Sequence, residues 1–222
     1  MKISTGIVIL TLAAGLVSGQ KVRRDLPKFL GAEVTVTEPP TDEDGFFPEG
    51  TATVCVDLKP QKQCYTPPEQ YGRLPEVSIA QVDKAPPALF FKVANGGVSG
   101  YAIHFALLRP GSGDTLDELF MSDRSVSNQS EHAFWYEPSI GESPIFVTAN
   151  FTYGPYESHY SPHRYILSAF TWQPSDDGFS YFRADHYMTV RKYDVDTTDI
   201  LAAEKPEILA RLRKVVAANG KR

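Results

Sequence analysis

Two apolar stretches, Ala88-Leu-Phe-Phe-Lys-Val-Ala94 and Tyr101-Ala-Ile-His-Phe-Ala-Leu-Leu108, decide the fold class of this chain. In the first, Leu89, Phe91 and Val93 alternate along one face of an extended chain, with Lys92 on the other. In the second, the apolar row consists of Tyr101, Ile103, Phe105 and Leu107, and His104 lies on the opposite face. Asn95-Gly96-Gly97 between them is a strong turn signal. The pattern predicts a β-hairpin with strands at Ala88–Ala94 and Gly100–Leu108.

The same period of two recurs towards the C-terminus. Residues 143–153 alternate cleanly, residues 164–172 form another strand pattern, and residues 179–195 indicate one long strand or two short ones. Aromatic residues make up 12% of the chain, and 17 Pro with 16 Gly favour short strands and frequent turns. We therefore predict a mainly β fold of eight to eleven strands, an antiparallel β-sandwich or a barrel-like sheet, in one domain spanning residues 20–222.

Three segments depart from this pattern. Near the C-terminus the period becomes helical, which predicts an amphipathic helix at about 204–218 with Pro206 in its first turn. Its apolar stripe is expected to dock on the sheet, although a basic amphipathic helix is also typical of membrane surfaces. Residues 115–121 are predicted to form one helical turn capped by Asp114. Residues 20–30 are charged and mixed, and we expect them to be poorly ordered.

The N-terminus has the pattern of a secretory signal peptide, residues 1–19. Lys2 supplies the positive charge, residues 3–17 are apolar or small, and Val17-Ser18-Gly19 predicts cleavage before Gln20. An uncleaved anchor is the alternative, but the apolar run is shorter than the ~20 residues that span a bilayer. We expect a secreted or periplasmic protein with no integral membrane insertion after cleavage.

The chain has two cysteines, Cys55 and Cys64. In an exported protein two cysteines are expected to pair. Residues 54–58 alternate as a strand, and Lys59-Pro60-Gln61-Lys62 indicates a turn, so the disulfide is predicted to join the two arms of a hairpin.

Composition and motifs narrow the function classes. The net charge of −5 does not attract a phosphate backbone, which argues against a nucleic-acid partner. The sequence lacks GxSxG, HExxH, GxxxxGK[ST] and a GxGxxG after a strand. We expect no cofactor.

The segment richest in chemical groups is the 153–164 loop, between two predicted strands. Its candidate ligand-binding residues combine aromatic surface with charged and imidazole groups: Tyr156, Glu157, His159, Tyr160, His163 and Arg164. Glu157, His159 and His163 also approximate a two-histidine, one-carboxylate metal site. The alternative is a rigid aromatic loop whose polar groups bond locally.

A run of aromatic residues includes Trp135 and Tyr136, which we expect to lie next to the 153–164 loop and to add stacking surface. Asn128 and Asn150 begin N-glycosylation patterns, whose use the sequence leaves open. The sequence thus favours an exported, non-enzymatic binding or interaction module for an unknown protein, peptide or carbohydrate. The alternative is a metal-assisted hydrolase that uses residues 157–163.

Overall fold

The computed structural model describes residues 20–42, 49–68, 70–82, 87–95, 102–120, 125–127, 131–158, 160–176, 178–194, 197 and 199–219. The predicted signal peptide, the predicted turn at 96–97, His159 and Asn128 lie outside these residues.

In the part of the chain that the structure describes, three antiparallel sheets and one helix make up the fold, so the mainly β prediction is confirmed. The N-terminal sheet consists of β1 (Lys21–Arg23), β2 (Val34–Glu38), β3 (Thr53–Leu58) and β4 (Gln61–Tyr65). The central sheet consists of β5 (Arg73–Ala80), β6 (Ala88–Asn95), β7 (Ala102–Pro110), β8 (Leu116–Glu118) and β9 (Ser125–Ser127). The C-terminal sheet consists of β10 (His132–Trp135), β11 (Ile145–Thr152), β12 (Arg164–Ser175) and β13 (Gly178–Met188), and α1 (Ile200–Asn219) follows it.

Hydrophobic side chains join the sheets face to face. One cluster joins the N-terminal and central sheets, and includes Val34, Val54, Leu89 and Phe91. A second joins the central and C-terminal sheets, and includes Phe90, Phe105, Phe146 and Tyr181. A third joins the C-terminal sheet to α1, and includes Val147, Leu167, Ile208 and Leu212. Over its described residues each sheet keeps two edges, so of the two predicted architectures the sandwich fits and the closed barrel does not.

The predicted central hairpin is formed by β6 and β7, and both of its faces are buried. Leu89 lies opposite Leu108, and Val93 lies opposite His104. Because residues directly opposite one another share a face, the apolar row of β6 and the Phe105 row of β7 lie on opposite faces. His104 is fully buried as well. The central sheet is therefore the middle layer of the molecule.

Residues 114–120 form part of the central sheet, and the predicted helical turn is wrong. The N–H of Cys64 donates to the carbonyl of Asp114 at 2.8 Å, and the N–H of Leu119 donates to Leu107 at 2.8 Å. The N–H of Tyr181 donates to the carbonyl of Leu119 at 2.7 Å. A single helical turn makes few internal hydrogen bonds, so the partners offered by all three sheets favour the extended chain.

The C-terminal helix begins at Ile200, about one turn before the predicted start, which places Pro206 beyond the first turn. A carboxylate oxygen of Glu131 accepts a hydrogen bond from the N–H of Leu201 at 2.7 Å. Ile200 and Leu201 are buried in the third cluster. These tertiary contacts extend the helix beyond its local signal. Within the described residues, the structure has no helix with the length and apolarity needed to cross a membrane.

The predicted disulfide is confirmed. Cys55 and Cys64 are bonded and lie directly opposite each other on β3 and β4. Residues 20–30, in contrast, are more regular than predicted, because β1 pairs with β2 and Arg23 donates to the carbonyl of Pro75 at 2.7 Å.

Candidate functional site

The 153–164 loop joins β11 to β12 at one end of the C-terminal sheet, where Thr152 and Arg164 form the last pair of the ladder. Two of its tyrosines project into solvent: Tyr156 is fully exposed and Tyr160 is 92% exposed. Tyr156 also has a φ of +66°. This region costs a residue with a side chain about 1–2 kcal/mol, so the rest of the loop must hold Tyr156 in place.

Glu157 is the residue that closes this loop on itself. Its carboxylate accepts a hydrogen bond from the N–H of Gly154 at 2.6 Å and forms an ion pair with Lys192. The hydrogen bond from Lys192, followed by that from Gly154, lowers the pKa of Glu157, and Arg164 adds a weaker attraction. The carboxylate therefore stays ionised and fixes the loop to the chain that follows β13.

His163 anchors the other end of the loop. Its Nδ1–H donates to the carbonyl of Ser161 at 2.8 Å, and its Nε2 lies 3.4 Å from the hydroxyl of Tyr165. Its backbone N–H and carbonyl pair with those of Tyr193 at 3.0 and 2.9 Å. The imidazole is buried and both of its nitrogens contact protein groups, so His163 acts in this structure as a support.

Between these anchors, two serines form a tight turn. The N–H of Ser158 donates to Oγ of Ser161 at 2.8 Å, and that hydroxyl donates to the carbonyl of Ser158 at 2.9 Å. The polar groups thus bond locally, as one of the two interpretations of the loop predicted. These bonds pre-organise the loop, and Tyr156 and Tyr160 are left to the solvent.

The predicted metal ligands are only partly described. Glu157 and His163 are each committed to the contacts above, and His159 lies outside the described residues. Within the ranges given above, no group of three or more His, Cys, Asp or Glu side chains is arranged to hold a metal ion.

The structure does not bring Trp135 and Tyr136 to the 153–164 loop. Trp135 lies opposite Ile145 at the start of β11, whereas the loop follows Thr152 at the end of that strand. Seven residues of extended chain separate these ends by roughly 23 Å. The ring of Trp135 lies 4.9 Å from the ammonium of Lys205 on α1, and the side chain of Tyr136 is 68% exposed.

Three exposed apolar residues near the loop were missed by sequence reasoning. Ile166 and Met188 lie directly opposite each other on β12 and β13, and Met188 is 53% exposed. Val190, two residues further on, is 95% exposed. The alternation of Met188 and Val190 with polar residues was available as a signal, but such alternation normally indicates a buried face.

The opposite face of β13 is filled by α1. Arg211 makes two hydrogen bonds to the carboxylate of Asp185, at 2.6 and 3.1 Å, which raise the pKa of its guanidinium. Glu204 accepts hydrogen bonds from the hydroxyls of Tyr187 and Tyr193. Burial, followed by these hydrogen bonds, raises the pKa of Tyr187 and brings the pKa of Tyr193 to about 12. The helix therefore fixes β13 from one side.

A second group of chemically capable residues lies between the N-terminal and central sheets. The hydroxyl of Tyr65 donates to Glu118 at 2.6 Å and lies 2.9 Å from Nε2 of His104. His104 is fully buried, so a substrate cannot reach it in this state. We interpret this group as a structural network that joins the two sheets.

Comparison with known proteins adds no relative: no protein-family model, no curated protein and no solved structure matches this chain. We therefore infer its function from its own residues.

Proposed function

We propose that this protein is an exported, non-enzymatic binding module and that the 153–164 loop is its recognition surface. The observation that carries the proposal is the exposure of Tyr156 and Tyr160 on a loop that is held by bonds of Glu157, the Ser158–Ser161 turn and His163. Tyrosine offers a large contact area and a polar hydroxyl, and it has few rotatable bonds to order on binding.

Pre-organisation supports the same function. A loop that is already held by Glu157, the Ser158–Ser161 turn and His163 loses little conformational freedom when a ligand binds. The positive φ of Tyr156 fits this account, because strain of this kind tends to occur where a side chain is held for a functional purpose.

The contacts of Glu157 and His163 favour binding over hydrolysis. A metal-assisted hydrolase would use these groups as ligands or as general bases, which requires them to face a substrate. Here the carboxylate is paired with Lys192 and the imidazole is buried.

Export is supported by the Cys55–Cys64 disulfide. Such bonds persist in oxidising compartments outside the cytoplasm. Together with the sequence pattern of residues 1–19, this supports a secreted or periplasmic protein.

The test is a ligand screen with matched tyrosine variants. Residues 20–222 are probed on a glycan array and against a phage-displayed library of linear peptides, and each hit is measured again with the double variant Tyr156→Ala/Tyr160→Ala. We expect affinity to fall by ~tenfold or more, since tyrosines at the centre of an interface each contribute over ~1 kcal/mol.

Tyr136→Ala is the matched control, because Tyr136 is an exposed tyrosine at the other end of β11. It is expected to leave affinity unchanged. Hits that bind the double variant as tightly as the wild type would contradict the proposed surface.

A further inference from the structure

β13 forms an edge of the C-terminal sheet. It pairs with β12, and over its residues 183–188 no described strand pairs with its outer side. An open strand edge presents backbone N–H and C=O groups to which another extended chain can bond.

The ladder shows which residues present these groups. The N–H of Thr189 donates to the carbonyl of Tyr165 at 2.8 Å, and the N–H of Tyr165 donates to the hydroxyl of Thr189 at 3.0 Å. Thr189 and Tyr165 thus face each other as a hydrogen-bonded pair. Because such pairs alternate along an antiparallel ladder, the backbone groups of Met188 and His186 point away from β12.

The side chains of the same residues are exposed. Met188 lies beside Ile166, and Val190 continues the row towards the 153–164 loop. On the helix-facing side, Asp185 and Tyr187 are held by Arg211 and Glu204. The edge is therefore fixed on one face and open on the other.

Charge indicates what kind of chain fits. Two arginines belong to the open face: Arg164 at the loop end of β12 and exposed Arg183 on β13, opposite Phe170. The carboxylates of Asp185 and Glu204 lie on the helix-facing side, where they bond to Arg211 and to two tyrosines, and Glu157 is paired with Lys192. In a chain with a net charge of −5, this edge favours an acidic partner.

We propose that β13 is the docking edge for an extended, acidic peptide segment that adds to the C-terminal sheet as a further strand and ends against Tyr156 and Tyr160. This inference rests on the proposed function, since it names the partner of the same surface. Main-chain hydrogen bonds supply affinity in this mode, and alternate side chains meet the row of Ile166, Met188 and Val190.

The first test uses a fluorescent synthetic peptide, Asp-Val-Thr-Val-Glu-Val-Asp, measured by anisotropy with residues 20–222. Two derivatives carry N-methyl groups on one or the other alternate set of amides. We expect one set to abolish binding and the other to leave it nearly unchanged, because only one set of N–H groups faces β13. A third peptide with Lys in place of the acidic residues is expected to bind at least ~tenfold more weakly.

The second test changes the edge itself. Met188→Pro removes an N–H that points away from β12, so the ladder is retained, whereas Met188→Val keeps the N–H. We expect Met188→Pro to weaken peptide binding by ~tenfold or more and Met188→Val to weaken it by less than ~threefold. The melting temperatures of the two variants should be similar. If Met188→Pro unfolds, the N-methyl peptides still decide the question.

Three results would overturn this inference. The first is no peptide binding at about 1 mM, which corresponds to a binding free energy of only ~4 kcal/mol. The second is equal binding of the two N-methylated peptides. The third is a dimer of the free protein that Met188→Pro dissociates. The last result would assign the edge to a second copy. Glycan hits that depend on Tyr156 and Tyr160, without peptide binding, would refute strand addition and leave the proposed function in place.

Discussion

The β6–β7 hairpin and the β12–β13 hairpin are both built from consecutive antiparallel strands, yet the molecule covers them differently. β6 and β7 lie in the middle layer, with hydrophobic clusters on both faces and a strand on each side of the pair. β12 and β13 pack on α1 through one face, while the other is only partly covered and leaves Ile166 and Met188 exposed. The first hairpin stabilises the fold, and the second presents a surface.

The sequences of the two hairpins reflect this difference. In β6 the four residues 88–91 are all apolar and all buried, as expected for a strand that is covered on both faces. In β12 buried Tyr165 and Leu167 alternate with exposed Ile166 and half-buried Ser168. An uninterrupted apolar run thus indicates two covered faces, and alternation indicates one.

The largest effect is expected from truncating the central hairpin. Phe105→Ala removes a fully buried ring from the cluster between the central and C-terminal sheets, and should lower the free energy of unfolding by about 3–5 kcal/mol. The matched control is Phe179→Ala on β13, where the ring is 53% exposed and stacks on Trp172. It should cost less than ~1.5 kcal/mol. Equal losses in urea unfolding would remove the contrast between the hairpins.

The next largest effect concerns the layer that covers one face of β6 and β7. Reduction of the Cys55–Cys64 disulfide should destabilise the protein by roughly 2.5–3 kcal/mol, because it releases a loop of ~10 residues in the unfolded chain. We expect a lower melting temperature with the fold retained, as checked by calorimetry with and without reductant. Free thiols at both positions in the exported protein would contradict the pairing.

A smaller effect is expected on the helix side of β13. Arg211→Met removes the two hydrogen bonds to Asp185 and should destabilise the protein by about 1–2 kcal/mol, a range reduced for partial exposure to solvent. Arg213→Met, at a more exposed pair with Glu137, is the control and should cost less than ~0.5 kcal/mol. If Arg211→Met leaves the melting temperature unchanged, α1 does not fix β13 through this ion pair.

The smallest effect concerns the loop that ends the second hairpin. The pKa of Glu157 is lowered in the folded protein, so its contribution to stability is present above the ordinary carboxyl range and is lost as the pH falls through the folded pKa. Between pH 5 and pH 3 we expect the melting temperature of the wild type to fall further than that of Glu157→Gln. The two decreases should differ by about a degree or two. The matched control is Glu33→Gln, at an exposed site directly before β2.

Strand positions, the disulfide and the exposed loop were predictable because each depends on neighbouring residues. The three-layer order was not, since the pairing of apolar faces depends on contacts between distant residues. Residues 114–120 have a weak local signal for a helical turn, but backbone partners from three sheets determine their conformation. The predicted proximity of Trp135 to the 153–164 loop was wrong. The sequence already argued against it, because the predicted strand at 143–153 separates the two.

The exposure of Met188 and Val190 was also beyond sequence reasoning. Their alternation is the same as that of a buried row, and only the position of the central sheet decides that this end of β13 is left open. The identities of residues in a strand report how many faces are suited to burial. They do not report whether a neighbouring layer reaches far enough to cover them.

Amide hydrogen exchange, followed residue by residue by NMR, tests the central contrast most directly. We expect slow exchange, close to the limit of global unfolding, for the amides of Leu89–Val93, and also for Tyr187, whose N–H faces β12. The amides of His186 and Met188, on either side of Tyr187, should exchange rapidly because they face away from β12. Protection of His186 and Met188 as strong as that of Tyr187 would show that this edge is already covered, and would contradict the account of β12–β13 as the surface that the fold leaves open.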